Sequence, residues 1–128
     1  MTKANEYIYW YYNPECQTFI EKLLEDVNKQ SEKYSSSIQW ENSSYHNDVC
    51  GSVCFYYDND SETYVQFHAF HNDEEMKRER IEQRYSVFST VNGKNGLFTD
   101  DYLVTNDRQK AIQFALESAI VLIDNTGK

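Results

Sequence analysis

The sequence predicts a single α+β domain spanning residues 1–128, mainly an antiparallel β-sheet backed by two main helices. Three observations point there. Two long segments repeat apolar residues at helical spacing. Several shorter ones alternate with a period of two, the spacing at which residues share one face of a pleated strand. Their order is strand, helix, several strands, a weak helix, two strands, helix, with no internal repeat or linker between them. A chain of 128 residues buries about two thirds of the surface exposed by its unfolded form, so it can fold on a hydrophobic core alone.

Residues Glu6 to Tyr12, EYIYWYY, read as a strand because they are aromatic and β-branched and end before Pro14. Ile8, Trp10 and Tyr12 share one face and Tyr7, Tyr9 and Tyr11 the other. Asn13 and Pro14 form a helix start, Asn as cap and Pro at the first helical position. The helix runs to about Ser31 and carries Cys16, Phe19, Ile20, Leu23, Leu24 and Val27 as its apolar stripe. Ile38 to Glu41 read as a short strand, followed by a polar loop from Asn42 to Asp48.

A long hairpin comes next. Val53, Phe55 and Tyr57 alternate with Ser52, Cys54 and Tyr56, and the turn-forming run Asp58-Asn59-Asp60-Ser61 reverses the chain. Thr63, Val65, Phe67 and Ala69 then face the core, with Tyr64, Gln66, His68 and Phe70 facing away. Asn72 to Gln83 favour a surface helix with acid early and base late. Tyr85 to Thr90 read as a strand ending at the turn Asn92-Gly93, with a return through Leu97 and Phe98 that Tyr102 to Thr105 continue. Asn106 or Thr105 caps a final helix whose stripe is Ala111, Ile112, Ala115, Leu116, Ala119, Ile120 and Ile123.

Charge narrows the function. The chain has 21 acidic and 12 basic residues, a net charge of -9, which repels a phosphate backbone unless basic residues are concentrated. Lys77, Arg78, Arg80 and Arg84 are the one basic cluster, and they interleave with Glu74, Glu75, Glu79 and Glu82 as a solvated, self-paired face does. Direct nucleic-acid binding is disfavoured. Three irregularly spaced cysteines do not make a disulfide framework and fit a reducing compartment. No apolar run approaches the ~18 residues needed to cross a bilayer, so a soluble cytoplasmic protein is expected.

No catalytic motif stands out, and no enzyme activity or cofactor is expected. His46, Cys50, Cys54, His68 and His71 are zinc-ligand types, but Cys50 and Cys54 lie four residues apart on a strand, about 13 Å, too far to share one ion. Cys16 sits in a first helical turn, where a thiol can be activated, yet it also lies on the apolar stripe, which favours packing. The pairs Asp58 with Asp60 and Asp100 with Asp101 occupy turns with no nearby group to split their pKa values.

The acid and the tyrosines coincide. Residues Glu41 to Glu75 hold eight carboxylates and no Lys or Arg. Tyr56 and Tyr64 lie on the away face of the hairpin, and tyrosine is enriched at protein interfaces. The same rings would serve equally as core if a helix or second copy covered them. The expected partner-binding residues are Glu41, Asp48, Tyr56, Asp58, Asp60, Glu62 and Tyr64, an acidic rim that steers a basic protein around aromatic anchors.

The paired strands VCFYYDNDSETYVQFHAF, the crossing RIEQRYSVFSTVNGKNG and the ending TNDRQKAIQFALESAI resemble in layout the small immunity proteins of bacterial contact-dependent inhibition and related polymorphic toxin systems. The resemblance implies a cytoplasmic protein that binds and neutralises a cognate toxin, commonly a basic nuclease, with no catalytic residues to carry over. The alternative expectation is a phage-type inhibitor that mimics nucleic acid with its carboxylates and blocks a host nuclease or defence complex. Oligomeric state is open.

Overall fold

The first helix, α1 (Pro14–Ser31), occupies the range its apolar stripe predicts. The computed structural model describes residues 14–44, 50–57, 62–71, 73–91, 94–95 and 102–126, so the expected strand Glu6 to Tyr12 lies outside the described residues. Along α1, Cys16, Ile20, Leu23, Val27 and Ser31 are buried, one per turn as the 3.6-residue period requires. Strands β1 (Glu41–Asn42), β2 (Gly51–Tyr56), β3 (Tyr64–Ala69), β4 (Tyr85–Val91), β5 (Lys94–Asn95) and β6 (Tyr102–Thr105) form one sheet, with α2 (Asp73–Arg78) between β3 and β4 and α3 (Arg108–Thr126) at the end. The spatial order is β1-β2-β3-β4-β5, with β6 also against β4, and every pairing is antiparallel. Both β5 and β6 pair with β4 on the side away from β3, as two pieces of one interrupted strand.

The register sorts the side chains. Val53 faces Phe67, Phe55 faces Val65, and Phe67 faces Val87 across the central strands. These residues are buried with Ile20, Leu23 and Val27 of α1 and with Ala111, Ile112, Ala115, Leu116, Ala119 and Leu122 of α3. α1 lies over β2 and α3 over β3, β4 and β6, so both long helices cover the same face. Gly51 packs directly under α1: a β-carbon there would overlap Ile20 Cγ1 and sit 2.5 Å from Ile20 Cδ1, so glycine lets the helix settle on the strand.

Four expectations need correction. Ile38 and Trp40 are buried as expected, but the ladder includes only Glu41 and Asn42. The reason is Asn28 of α1: its Oδ1 accepts from Trp40 N at 2.7 Å and its Nδ2 donates to Trp40 O at 3.3 Å, satisfying the groups a neighbouring strand would use. Trp40 Nε1 also donates to Ser31 Oγ at 2.9 Å, and Ser31 donates to Val27 O at 2.6 Å.

The crossing helix ends at Arg78, well short of Gln83. Arg80 adopts φ 58, while Arg80 N donates to Lys77 O and Ile81 N to Met76 O. That pair of bonds is a Schellman termination, built here on arginine where glycine is usual.

Phe70, expected to face away, is buried with Cys50 and Met76 of α2 in a small second cluster. Strand β3 stops at Ala69, and α2 then brings Met76 against Phe70 and Cys50. The last helix is capped by Asp107, whose Oδ1 accepts from Lys110 N at 3.1 Å, and neither Asn106 nor Thr105 takes that role. The Asn106 side chain instead accepts from Arg84 N at 2.7 Å and donates to Glu82 O at 3.2 Å, tying the entry of β4 to the exit of β6.

Candidate functional site

The sheet face opposite α1 and α3 carries a second set of aromatic residues, apart from Phe55, Phe67 and Tyr85 in the core. Pairing partners share a face in an antiparallel ladder, so the register places Glu41, Cys54, Gln66, Phe88 and Tyr102 in one row across five strands. Beside it run Tyr56, Tyr64 and Thr90 on one side and Ser52, His68, Ser86 and Val104 on the other. The Tyr56 and Tyr64 ring centroids are 5.7 Å apart, Tyr64 and Phe88 6.3 Å, and His68 stacks on Phe88 at 6.0 Å. These separations suit tilted aromatic contacts. The rings are half-buried, and Tyr102 at the β6 edge is 65 % exposed.

A polar network sits toward β1. Ser52 is buried, its hydroxyl 2.8 Å from that of Ser43, its N–H donating to Ser44 Oγ at 2.9 Å. The Gln66 amide donates toward both Ser43 and Ser52. Cys54 lies buried on the same face, its pKa pushed up from 9.0 to about 12. Burial is the main cause, a hydrogen bond with the Tyr56 side chain opposes it, and the Glu41 charge adds to it. A neutral, shielded thiol of this kind is a packing group and not a nucleophile at pH 7.

Of the expected binding residues, Tyr56 and Tyr64 are brought into contact, Glu41 is exposed on β1, and Glu62 is exposed at the hairpin end. Asp48, Asp58 and Asp60 lie outside the described residues, as do His46 and Tyr7, Tyr9 and Tyr11. Phe88 and Tyr102 join the face without having been singled out, and Gln66 lies on it as the alternation predicts. The alternation of Tyr85 to Thr90 held the signal for Phe88, but only the register shows that it meets Tyr64.

His68 and His71 sit apart. His68 stacks on the aromatic face, whereas His71 Nδ1 lies 3.5 Å from Cys16 Sγ and its ring 5.3 Å from Phe19, against α1. Cys16 is buried, as packing on the apolar stripe predicts; its imidazole neighbour is a contact the sequence did not disclose. A shallow cavity of about 410 Å³ opens beside this pair, lined by Pro14, Glu15, Thr18, Phe19, Lys22 and His71. Among the described residues, no group of three or more His, Cys, Asp or Glu side chains converges as metal ligands, and no helix is long and apolar enough to cross a membrane.

The basic cluster is split by the fold. Arg84 donates to the carbonyls of Phe70 and His71 at 2.8 Å each and pairs with Asp73, while Lys77, Arg78 and Arg80 are exposed. Arg84 thus braces the crossing from β3 to β4, a structural use of its fork of donors. Comparison with protein-family models, curated proteins and solved structures found no match.

Proposed function

We propose that this chain is a cytoplasmic binding protein of the immunity type, which neutralises a cognate basic toxin, a nuclease domain, by occluding it with the aromatic sheet face and the acidic end of the β2–β3 hairpin. The observation that supports this reading is the run of Tyr56, Tyr64 and Phe88 on the face opposite the two long helices, in a chain of net charge -9. Rings already held by their neighbours lose little entropy on binding, and Tyr is a frequent interface anchor. Glu41 and Glu62 are exposed toward the two ends of the same region, and surplus acid speeds encounter with a basic partner. The activity requires no catalytic group in this chain.

The test is a pull-down and nuclease-inhibition assay against the product of the neighbouring gene. One variant carries Asp58, Asp60 and Glu62 changed to Lys, the other Tyr56→Ala with Tyr64→Ala. Both are expected to lose capture and protection while retaining their circular dichroism; unchanged binding by both folded variants removes this placement of the site. If the wild-type protein instead competes with DNA or RNA for a host nuclease, the nucleic-acid-mimic reading takes over.

A further inference from the structure

We propose that β6 is a self-pairing edge, joining two copies of this chain into a dimer with one continuous sheet. Among the described residues no strand pairs with the outer side of β6, and its sequence, Tyr-Leu-Val-Thr, has no charge, proline or bulge of the kind that normally protects an edge. Tyr102 is 65 % exposed and Val104 40 % exposed, both on the aromatic face, while Leu103 faces the helices opposite Val87.

The choice of a second copy follows from the register. Antiparallel pairing of β6 with itself must match faces, because a slip of one residue inverts every side chain. Centring the two-fold axis on Leu103 meets this condition: Leu103 opposes Leu103 of the other copy, and each Tyr102 opposes Val104 of the other. The two exposed apolar residues then cover each other as an aromatic and β-branched cross-strand pair.

The helix side is self-complementary too. A groove of about 480 Å³ beside β6 has Leu103 and Phe114 as its apolar lining, with Lys110 and Glu117 at its rim. On α3 these charges lie four residues before and three after Phe114, so antiparallel α3 helices about the same axis bring each Lys110 to Glu117 of the other copy. Set against this, two chains of net charge -9 repel one another, and screening weakens that repulsion. The dimer is therefore weak, with a Kd on the order of 10 μM, and tightens with salt.

The full 128-residue chain would be examined by sedimentation equilibrium from ~1 to ~200 μM, at ~0.05 and ~0.5 M NaCl. The wild type is expected to approach twice the chain mass, more readily at high salt. Tyr102→Lys and Val104→Lys should each weaken association at least tenfold, and Leu103→Cys should form a covalent dimer with oxidised glutathione, because the three native cysteines are buried. A single chain mass throughout the range overturns the proposal. So does a dimer unaffected by Tyr102→Lys, the more exposed site and the deciding variant if Val104→Lys fails to fold. A dimer that the Leu103→Cys variant never cross-links overturns the register and with it the proposal. The aromatic-face reading of partner binding stands or falls separately.

Discussion

Gly51 offers a quantitative test of how α1 sits on the sheet. A β-carbon at this position would lie 2.5 Å from Ile20 Cδ1 and 3.3 Å from Ile20 Cβ, against an optimal carbon separation of about 3.5–4.0 Å. Ile20 is 1 % exposed within the main core, so relieving the overlap means an unfavourable rotamer or a shift of about 1 Å in the helix. Overpacking of this kind costs about 1–3 kcal/mol, and replacing glycine in a strand returns about 0.5–1 kcal/mol. Gly51→Ala should therefore destabilise the protein by about 1–2 kcal/mol. Ile20→Ala alone should cost about 2–5 kcal/mol. With Ile20 truncated, the added methyl occupies vacated space, so Gly51→Ala becomes neutral or slightly stabilising and the two changes couple by about 1–3 kcal/mol. Urea unfolding of the four proteins, followed by circular dichroism, completes the cycle. Additivity within about 0.5 kcal/mol would show that Gly51 is not what seats α1.

Three further predictions follow from local geometry. Arg80→Gly should stabilise the fold by about 1 kcal/mol in thermal or urea unfolding, because φ 58 costs a side-chain-bearing residue that glycine avoids. Arg84→Lys should destabilise by about 1–3 kcal/mol despite keeping the charge, since lysine cannot reach the Phe70 and His71 carbonyls and Asp73 together. Cys54 is neutral in the fold, its pKa raised from 9.0 to about 12, so its contribution to stability is complete below about pH 9 and is lost as pH rises toward 12. The stability advantage of wild type over Cys54→Ala should shrink as pH rises above about 9; a constant difference would show that the thiol titrates alike in both states.

Much of this architecture is legible in the chain because period and composition agree. Helix α1 keeps the bounds set by Asn13-Pro14 and its apolar stripe, and the hairpin faces of Val53, Phe55, Val65 and Phe67 follow from simple alternation. The sequence misleads where a side chain from a distant element competes with the local backbone preference. Asn28 takes the Trp40 backbone groups and shortens β1, and Asn106, a good cap by type, is drawn off to Arg84 and Glu82 and leaves the helix to Asp107. Helix α2 ends early because Arg80 adopts a left-handed angle that its type does not announce.

The candidate site was legible as a set of residue types and less so as a surface. Alternation alone put Tyr56 and Tyr64 on the away face, but their contact with each other and with Phe88 depends on the strand register. Ser52 and Cys54 lie on that face as the alternation places them, but both are buried and hydrogen-bonded there. The face therefore has a closed polar end toward β1 and an open aromatic end toward β6.

The central claim is that the aromatic face, steered by acid, holds a basic protein. The direct measurement is calorimetric titration of the basic protein that copurifies with this chain against wild type, Tyr56→Ala with Tyr64→Ala, and Glu41→Lys with Glu62→Lys. The account predicts at least ~30-fold weaker binding for the tyrosine pair, and for the lysine pair weaker binding with a shallower dependence on salt. Wild-type affinity in both folded variants, or a copurifying partner that is acidic, would contradict it.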